Sequence, residues 1–315
     1  IDGKGFTATD LVADIGGKVY SAELQGYKYK DISLKGDIVN GLYEGQFSIK
    51  DPNISLDFDG KVDLLDSVPV YAFEADIERF KPIELKLLER DSSINIKTKV
   101  TLNFQGSSID NIIGRISLDS FHLYEGNKEA YLDYVNFIAN TNADGKTLSL
   151  ESPELQSFIT GKFTTTGIVD EFSNLVYQFS PAFFNEPPKQ PKEVQDFSYE
   201  VHLKNFTKFS KILIPGAEIA NNVDISGKVN SVQETMSITA SANKLSFYGT
   251  KADSLDLSVN LQKDSLDIEV KTEQIGVTDS LALKNLLVRI QAHNNQFKIN
   301  TDWDNTDDPN FAGDL

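Results

Sequence analysis

The feature that most constrains this chain is the alternation of apolar and polar residues. In 94–104, Ile94, Ile96, Thr98, Val100, Leu102 and Phe104 occupy every second position, with Asn95, Lys97, Lys99, Thr101 and Asn103 between them. Successive side chains of an extended strand point to opposite faces, so this segment reads as a strand with one dry and one wet side. The pattern returns in Leu255-Asp256-Leu257-Ser258-Val259-Asn260-Leu261, in Leu266–Val270 and in Ile54–Phe58. Parallel sheets covered on both faces read instead as continuous apolar runs. The alternation therefore predicts a mainly β chain built from antiparallel sheet with one solvated face.

Turn residues divide these strands into hairpins. Strand, loop and strand are expected over 32–50 around Asn40-Gly41-Leu42-Tyr43-Glu44-Gly45, where Asn-Gly and Glu-Gly tolerate positive φ. The same plan is read at 131–150 turning at 142–145, at 254–270 turning at 262–265, and at 285–303 turning at 293–296. Three short helices are expected: Phe80–Leu88 with Pro82 near its start, Asp170–Phe184, and Thr207–Ile214 stopped by Pro215-Gly216. Four of the ten prolines fall in 181–191. Because proline cannot donate to a ladder, that stretch reads as a linker or long loop. The expected organisation is 1–66 as the end of a preceding β repeat, 67–184 as one repeat unit, 185–193 as the linker, and 194–315 as a second unit.

Self-similarity supports the repeats. Ser48-Ile49-Lys50-Asp51-Pro52-Asn53-Ile54 followed by Gly60-Lys61-Val62 matches Ser149-Leu150-Glu151-Ser152-Pro153-Glu154-Leu155 followed by Gly161-Lys162-Phe163. Phe73–Phe80 likewise matches Tyr199–Phe206. The two offsets are unequal, which suits a long unit with variable loops rather than a rigid short-period solenoid.

Composition removes several chemistries. The chain has no Cys, so thiolate metal sites, disulfides and a cysteine nucleophile are excluded. With 30 basic against 47 acidic residues, the formal charge is −17 and nucleic acid is not an expected partner. His122, His202 and His293 lie far apart in strand-like contexts without metal-ligand spacing. No nucleophile elbow, phosphate loop or dinucleotide fingerprint is present. Most carboxylates alternate with aliphatics, as a wet strand face requires. The run Asp302-Trp303-Asp304-Asn305-Thr306-Asp307-Asp308 lacks the Gly and Glu that a calcium loop needs at its sixth and twelfth places, and reads as an acidic turn. An enzyme is not expected, nor a cofactor or metal.

What remains to be explained is the dry side. Leaving ten Ile, Leu, Val or Phe side chains exposed would forgo about 15–30 kcal/mol. A second sheet, closure into a barrel, or a hydrocarbon ligand lying along a curled sheet would each cover them.

Several segments resemble the AsmA/TamB family of bacterial envelope proteins, in its Bacteroidota-type form. They are Ser108-Ile109-Asp110-Asn111-Ile112-Ile113-Gly114-Arg115-Ile116-Ser117-Leu118, Leu203-Lys204-Asn205-Phe206 with Ile214-Pro215-Gly216, the hairpins ending near Asp51-Pro52 and Ser152-Pro153, the segment Asn174–Phe184, and Asp302-Trp303-Asp304-Asn305. The resemblance implies an elongated, curled β-sheet forming a taco-like, apolar-lined groove. It implies a periplasmic location, in a parent protein anchored in the inner membrane outside this piece. It also implies phospholipid acyl chains as cargo and an outer-membrane insertase-type barrel as a partner of the parent. On that reading the lipid-facing candidates are Ile94, Ile96, Val100, Leu102 and Phe104, with Leu255, Leu257, Val259 and Leu261. The competing expectation is a non-catalytic β-sandwich or β-solenoid adhesion or carbohydrate-binding module, with Tyr20, Tyr27 and Tyr29 as its nearest aromatics.

Overall fold

The computed structural model describes residues 2–4, 7, 10–64, 68–108, 110–143, 145–165, 167–168, 170–171, 174, 177, 193–276, 282–293, 296–304 and 310–314. The protein is mainly β and antiparallel. Strand makes up 72 % and helix 5 %, so among the described residues there is too little helix to lay a second layer over the sheet. The chain divides into two compact units, Ile1–Asn140 with Leu150–Pro153, and Thr141–Ser149 with Glu154–Leu315. The expected helix 170–184 and linker 185–193 fall mainly outside the described residues.

The first unit holds β1 (Asp2–Lys4), β2 (Val12–Leu24), β3 (Tyr27–Val39), β4 (Leu42–Lys50), β5 (Ile54–Asp63), β6 (Val70–Phe80), β7 (Asn95–Gln105), β8 (Ile113–Glu125) and β9 (Lys128–Asn142). Each strand pairs antiparallel with the next. The second unit holds most of β10 (Gly145–Glu151), then β11 (Leu155–Lys162), β12 (Asp196–Leu203), α1 (Thr207–Leu213), β13 (Ala217–Asn230), β14 (Thr235–Phe247), β15 (Thr250–Gln262), β16 (Ser265–Gly276), β17 (Ala282–His293), β18 (Gln296–Asp304) and β19 (Asn310–Asp314). From β11 onward it is again a meander of nearest neighbours.

The turns follow from residue chemistry. Asn40 and Gly41 have φ of 51° and 85°, and Val39 pairs with Leu42. The loop is thus two residues long, tighter than the expected 40–45, and its paired positive φ values match the twist of the strands it joins. Gln25-Gly26 and Tyr248-Gly249 repeat this geometry.

Alternation does not run unbroken along every strand. In β3 the inward set is Tyr27 and Tyr29, then Ile32 and Leu34; in β8 it is Ile116 and Leu118, then Phe121 and Leu123. The switches occur at Asp31 and Ser120, which have φ of 50° and 51°. Ser254 and Asn285 mark the same event in β15 and β17. The register slips by one residue at Ser120 against β7 and at Asn285 against β18, bulges that add twist, whereas the registers run unbroken past Asp31 and Ser254.

Glycines mark the closest approaches between strands. Gly36, Gly45 and Gly60 lie opposite one another across β3, β4 and β5. A Cβ on Gly45 would sit 2.5 Å from the Gly36 Cα, and one on Gly60 2.4 Å from the Phe73 Cβ. Only glycine lets these strands approach so closely. The second unit repeats the device: a Cβ on Gly145 would meet the Gly161 carbonyl at 2.4 Å, and one on Gly161 would meet Phe197. Phe73 therefore corresponds structurally to Phe197, each filling the space over a repeat glycine, whereas sequence matching set Phe73 against Tyr199.

One expected helix is absent. Residues 81–88 form turns, not a helix. Leu85 N–H donates to the Lys81 carbonyl, but Lys86 then adopts φ 61° and Leu87 N–H returns to the Pro82 carbonyl. One turn is all the segment needs to drive Leu85 into the core with Ile32, Ile49 and Ile54. Its counterpart α1 does form where expected. No side chain caps its start, and it is held by Phe209 and Ile212, both buried.

Candidate functional site: an apolar sheet face

In the second unit the strand registers align apolar residues into rows that cross the strands. One row is Ile225, Ala240, Leu257, Val270 and Val288 on β13 to β17. A parallel row is Ile159, Tyr199, Gly227, Ile238, Val259, Ile268, Ile290 and Ile299 on β11 to β18. Apart from Gly227, over which the Tyr199 ring lies, these residues present half-buried side chains. They are neither sealed in a dry core nor fully wet.

Both ends of that face are closed. At one end Leu203, Val223 and Ala242 are covered by Phe206 of the turn into α1. At the other, Phe163, Phe197, Val229, Met236 and Leu261 form a buried cluster against which Ile168 packs, as do Ile159, Tyr199, Ile238 and Val259 of the second row. Gln195, fully buried, ties this end together: Thr164 N–H donates to its Oε1 at 3.1 Å, its own N–H donates to Ser231 Oγ at 3.0 Å, and Ser231 N–H donates to its carbonyl at 2.8 Å. Nothing in the sequence distinguishes Gln195 from any other polar residue.

The expected candidates fall on these faces. Leu255, Leu257 and Val259 are half-buried on β15, while Leu261 belongs to the sealed end. In the first unit, Ile96, Val100, Leu102 and Phe104 lie half-buried on β7, and Ile94, just before that strand, is buried. Val100 faces Ala75 and Leu118; Leu102 faces Phe73 and Ile116; Phe104 faces Tyr71, their rings stacked at 4.7 Å. Sequence reasoning missed the aromatic members of this face, Phe47, Phe58 and Phe73, of which Phe58 and Phe73 lie 4.5 Å apart. Their alternation with Asp57, Asp59 and Glu74 was the available signal.

Polar groups are few on the dry side, and one is charged: Lys146 is buried with its Nζ 5.0 Å from the centre of the Phe163 ring. Thr98 is buried and donates to the Asp119 carbonyl at 3.0 Å. Burial pushes the Tyr199 phenol above its ordinary range. Directional chemistry sits on the opposite face. Arg289 Nε donates to Glu269 Oε2 at 2.9 Å and Gln291 to Asp267 at 2.9 Å. Hydrogen bonds from Lys271 and then Arg289 hold the Glu269 carboxyl below the usual range. In the first unit a depression of about 730 Å³ lies on the polar side, lined by Lys35, Asp57, Asp59, Asp76, Lys99 and Asp119 among others. Among the described residues no group of His, Asp or Glu is arranged to hold a metal ion. His122 pairs with Glu129 at 2.9 Å, His202 with Asp224 at 2.5 Å, and His293 with the Asp264 carbonyl at 3.1 Å, each on a different strand. The acidic run from Asp302 begins inside β18, and residues 305–309 lie outside the described set.

Of the tyrosines expected for a carbohydrate platform, Tyr27 and Tyr29 pack into the first unit's core, leaving Tyr20 exposed at 84 %. Among the described residues no helix is long and apolar enough to cross a membrane. Compared with family models, with curated proteins and with solved structures, the chain matches none.

Proposed function

We propose that this chain is a lipid-conducting segment of a periplasmic bridge, carrying phospholipid acyl chains along the apolar face and supporting outer-membrane biogenesis. The observation that carries the reading is the cross-strand row from Ile159 to Ile299, interrupted only at Gly227, half-buried along its length and flanked by buried clusters over β11 to β15. Strands lie about 4.8 Å apart, so a row over eight strands runs about 34 Å. One acyl chain spans about half of a hydrocarbon core roughly 30 Å thick. The row is longer than one chain, which suits a path better than a pocket. Aliphatic walls offer no directional groups, so discrimination between lipids is weak and release is easy, as transport requires. The parent protein would hold the membrane anchor and meet the outer-membrane barrel. Native mass spectrometry of the chain purified from a bacterial envelope tests this. Co-purified phospholipid is expected; lipid-free protein that binds glycans instead would replace the proposal with an adhesion module.

A further inference from the structure

A second surface lies off the apolar rows. At the end of the second unit where α1 sits, Leu213, Ile214, Phe247 and Tyr248 are all exposed, Tyr248 at 74 %. They form one tip. Tyr248 N–H donates to the Gly216 carbonyl at 2.8 Å, and its ring covers Gly216 so closely that a Cβ there would lie 2.7 Å from it. Phe247 pairs with Ala217 across the strands and meets the Tyr248 ring edge-on at 4.7 Å. Such a cluster is costly to leave in water, and a fold that only needed a hairpin would place Asn-Gly there, as it does at Asn40-Gly41.

The charges around the tip run against those of the whole chain. Lys208 and Lys211 share the exposed side of α1, and Lys244 and Lys251 flank the hairpin. Among the described residues, two carboxylates pair with these lysines: Glu218, 2.8 Å from Lys211, and Asp253, 4.0 Å from Lys244. A locally positive collar thus surrounds an apolar tip on a protein of formal charge −17. Lysines with long apolar stems around a Tyr and Phe apex match the layering of a lipid interface, apolar at depth and anionic at the headgroups.

We propose that this tip is a docking point for an anionic lipid surface, entering to headgroup depth with Phe247, Tyr248, Leu213 and Ile214 while the lysines meet lipid phosphates. The contact is independent of acyl-chain carriage on the sheet face, since no residue of the cross-strand rows takes part. Flotation of the chain with vesicles of phosphatidylcholine, with and without phosphatidylglycerol, tests it. Binding should require phosphatidylglycerol and weaken with added salt. The double variant Phe247→Ser, Tyr248→Asn should reduce binding at least tenfold; asparagine tolerates the positive φ of that turn. Lys208→Glu with Lys251→Glu, two exposed positions, should abolish the preference for anionic vesicles while the far-ultraviolet dichroism stays unchanged. Equal binding to both vesicle types, or variants that float like the parent, would overturn the proposal. So would a tip that self-associates in solution and ignores vesicles. Loss of vesicle binding with retained lipid in native mass spectra would separate this contact from the carriage reading.

Discussion

At the scale of single residues, the fold depends on places where a side chain is withheld or sealed in. Gly161 has φ 139° and faces Phe197. Alanine there combines a disallowed backbone with a clash, and Gly161→Ala should lower stability by about 2–5 kcal/mol, read from urea unfolding. Asp51 is a hub of another kind: buried, it accepts from Tyr27 at 2.5 Å, Asn53 N–H at 2.9 Å and Lys30 N–H at 3.1 Å. Sequence matching found Asp51 and its partner Ser152 through the shared Pro, but not their burial. Glu171 is set against its surroundings. Burial, and then the charge of Glu234, push its carboxyl above the ordinary carboxylate value of 4.5. An acid whose pKa is raised on folding binds more protons when folded, so this group favours the fold most below its unfolded pKa. That contribution fades as pH rises through the raised value. Glu171→Gln should therefore raise the melting temperature at neutral pH and flatten the gain that the parent shows on acidification, both measurable by calorimetry.

At the scale of elements, alternation was enough to find the strands, since β7 from Ile96 to Phe104 keeps one phase throughout. It was not enough to extend them. In β8 and β15 the phase changes at Ser120 and Ser254, whose positive φ is a tertiary choice that a local pattern does not encode. The helix expected at Phe80–Leu88 fails for a related reason. Proline at the start suits a helix, but burying Leu85 asks for one turn, and Lys86 in the left-handed region ends it. α1 survives because two residues at helical spacing, Phe209 and Ile212, are both buried. Ile212→Ala should cost about 2–5 kcal/mol by leaving a cavity under α1. The cost should appear as early loss of amide protection in β13 and β14, measured by hydrogen exchange.

At the scale of the whole molecule, what the sequence could convey was that one side of many strands is apolar. What covers that side was open among a second sheet, a closed barrel and a hydrocarbon guest. Within each unit the apolar face is an antiparallel sheet whose central residues are half-buried and which is flanked over part of its width by a turn, a helix or a buried cluster. That pattern is what the carriage reading rests on. Val259 and Asn260 are adjacent in sequence and lie on opposite faces of β15. The most direct measurement places a photo-reactive residue at each in turn, illuminates the protein in a bacterial envelope, and identifies adducts by mass spectrometry. Phospholipid adducts at position 259 and none at 260 are the predicted result. Equal labelling at both positions, or protein adducts at 259 with no lipid, would contradict it.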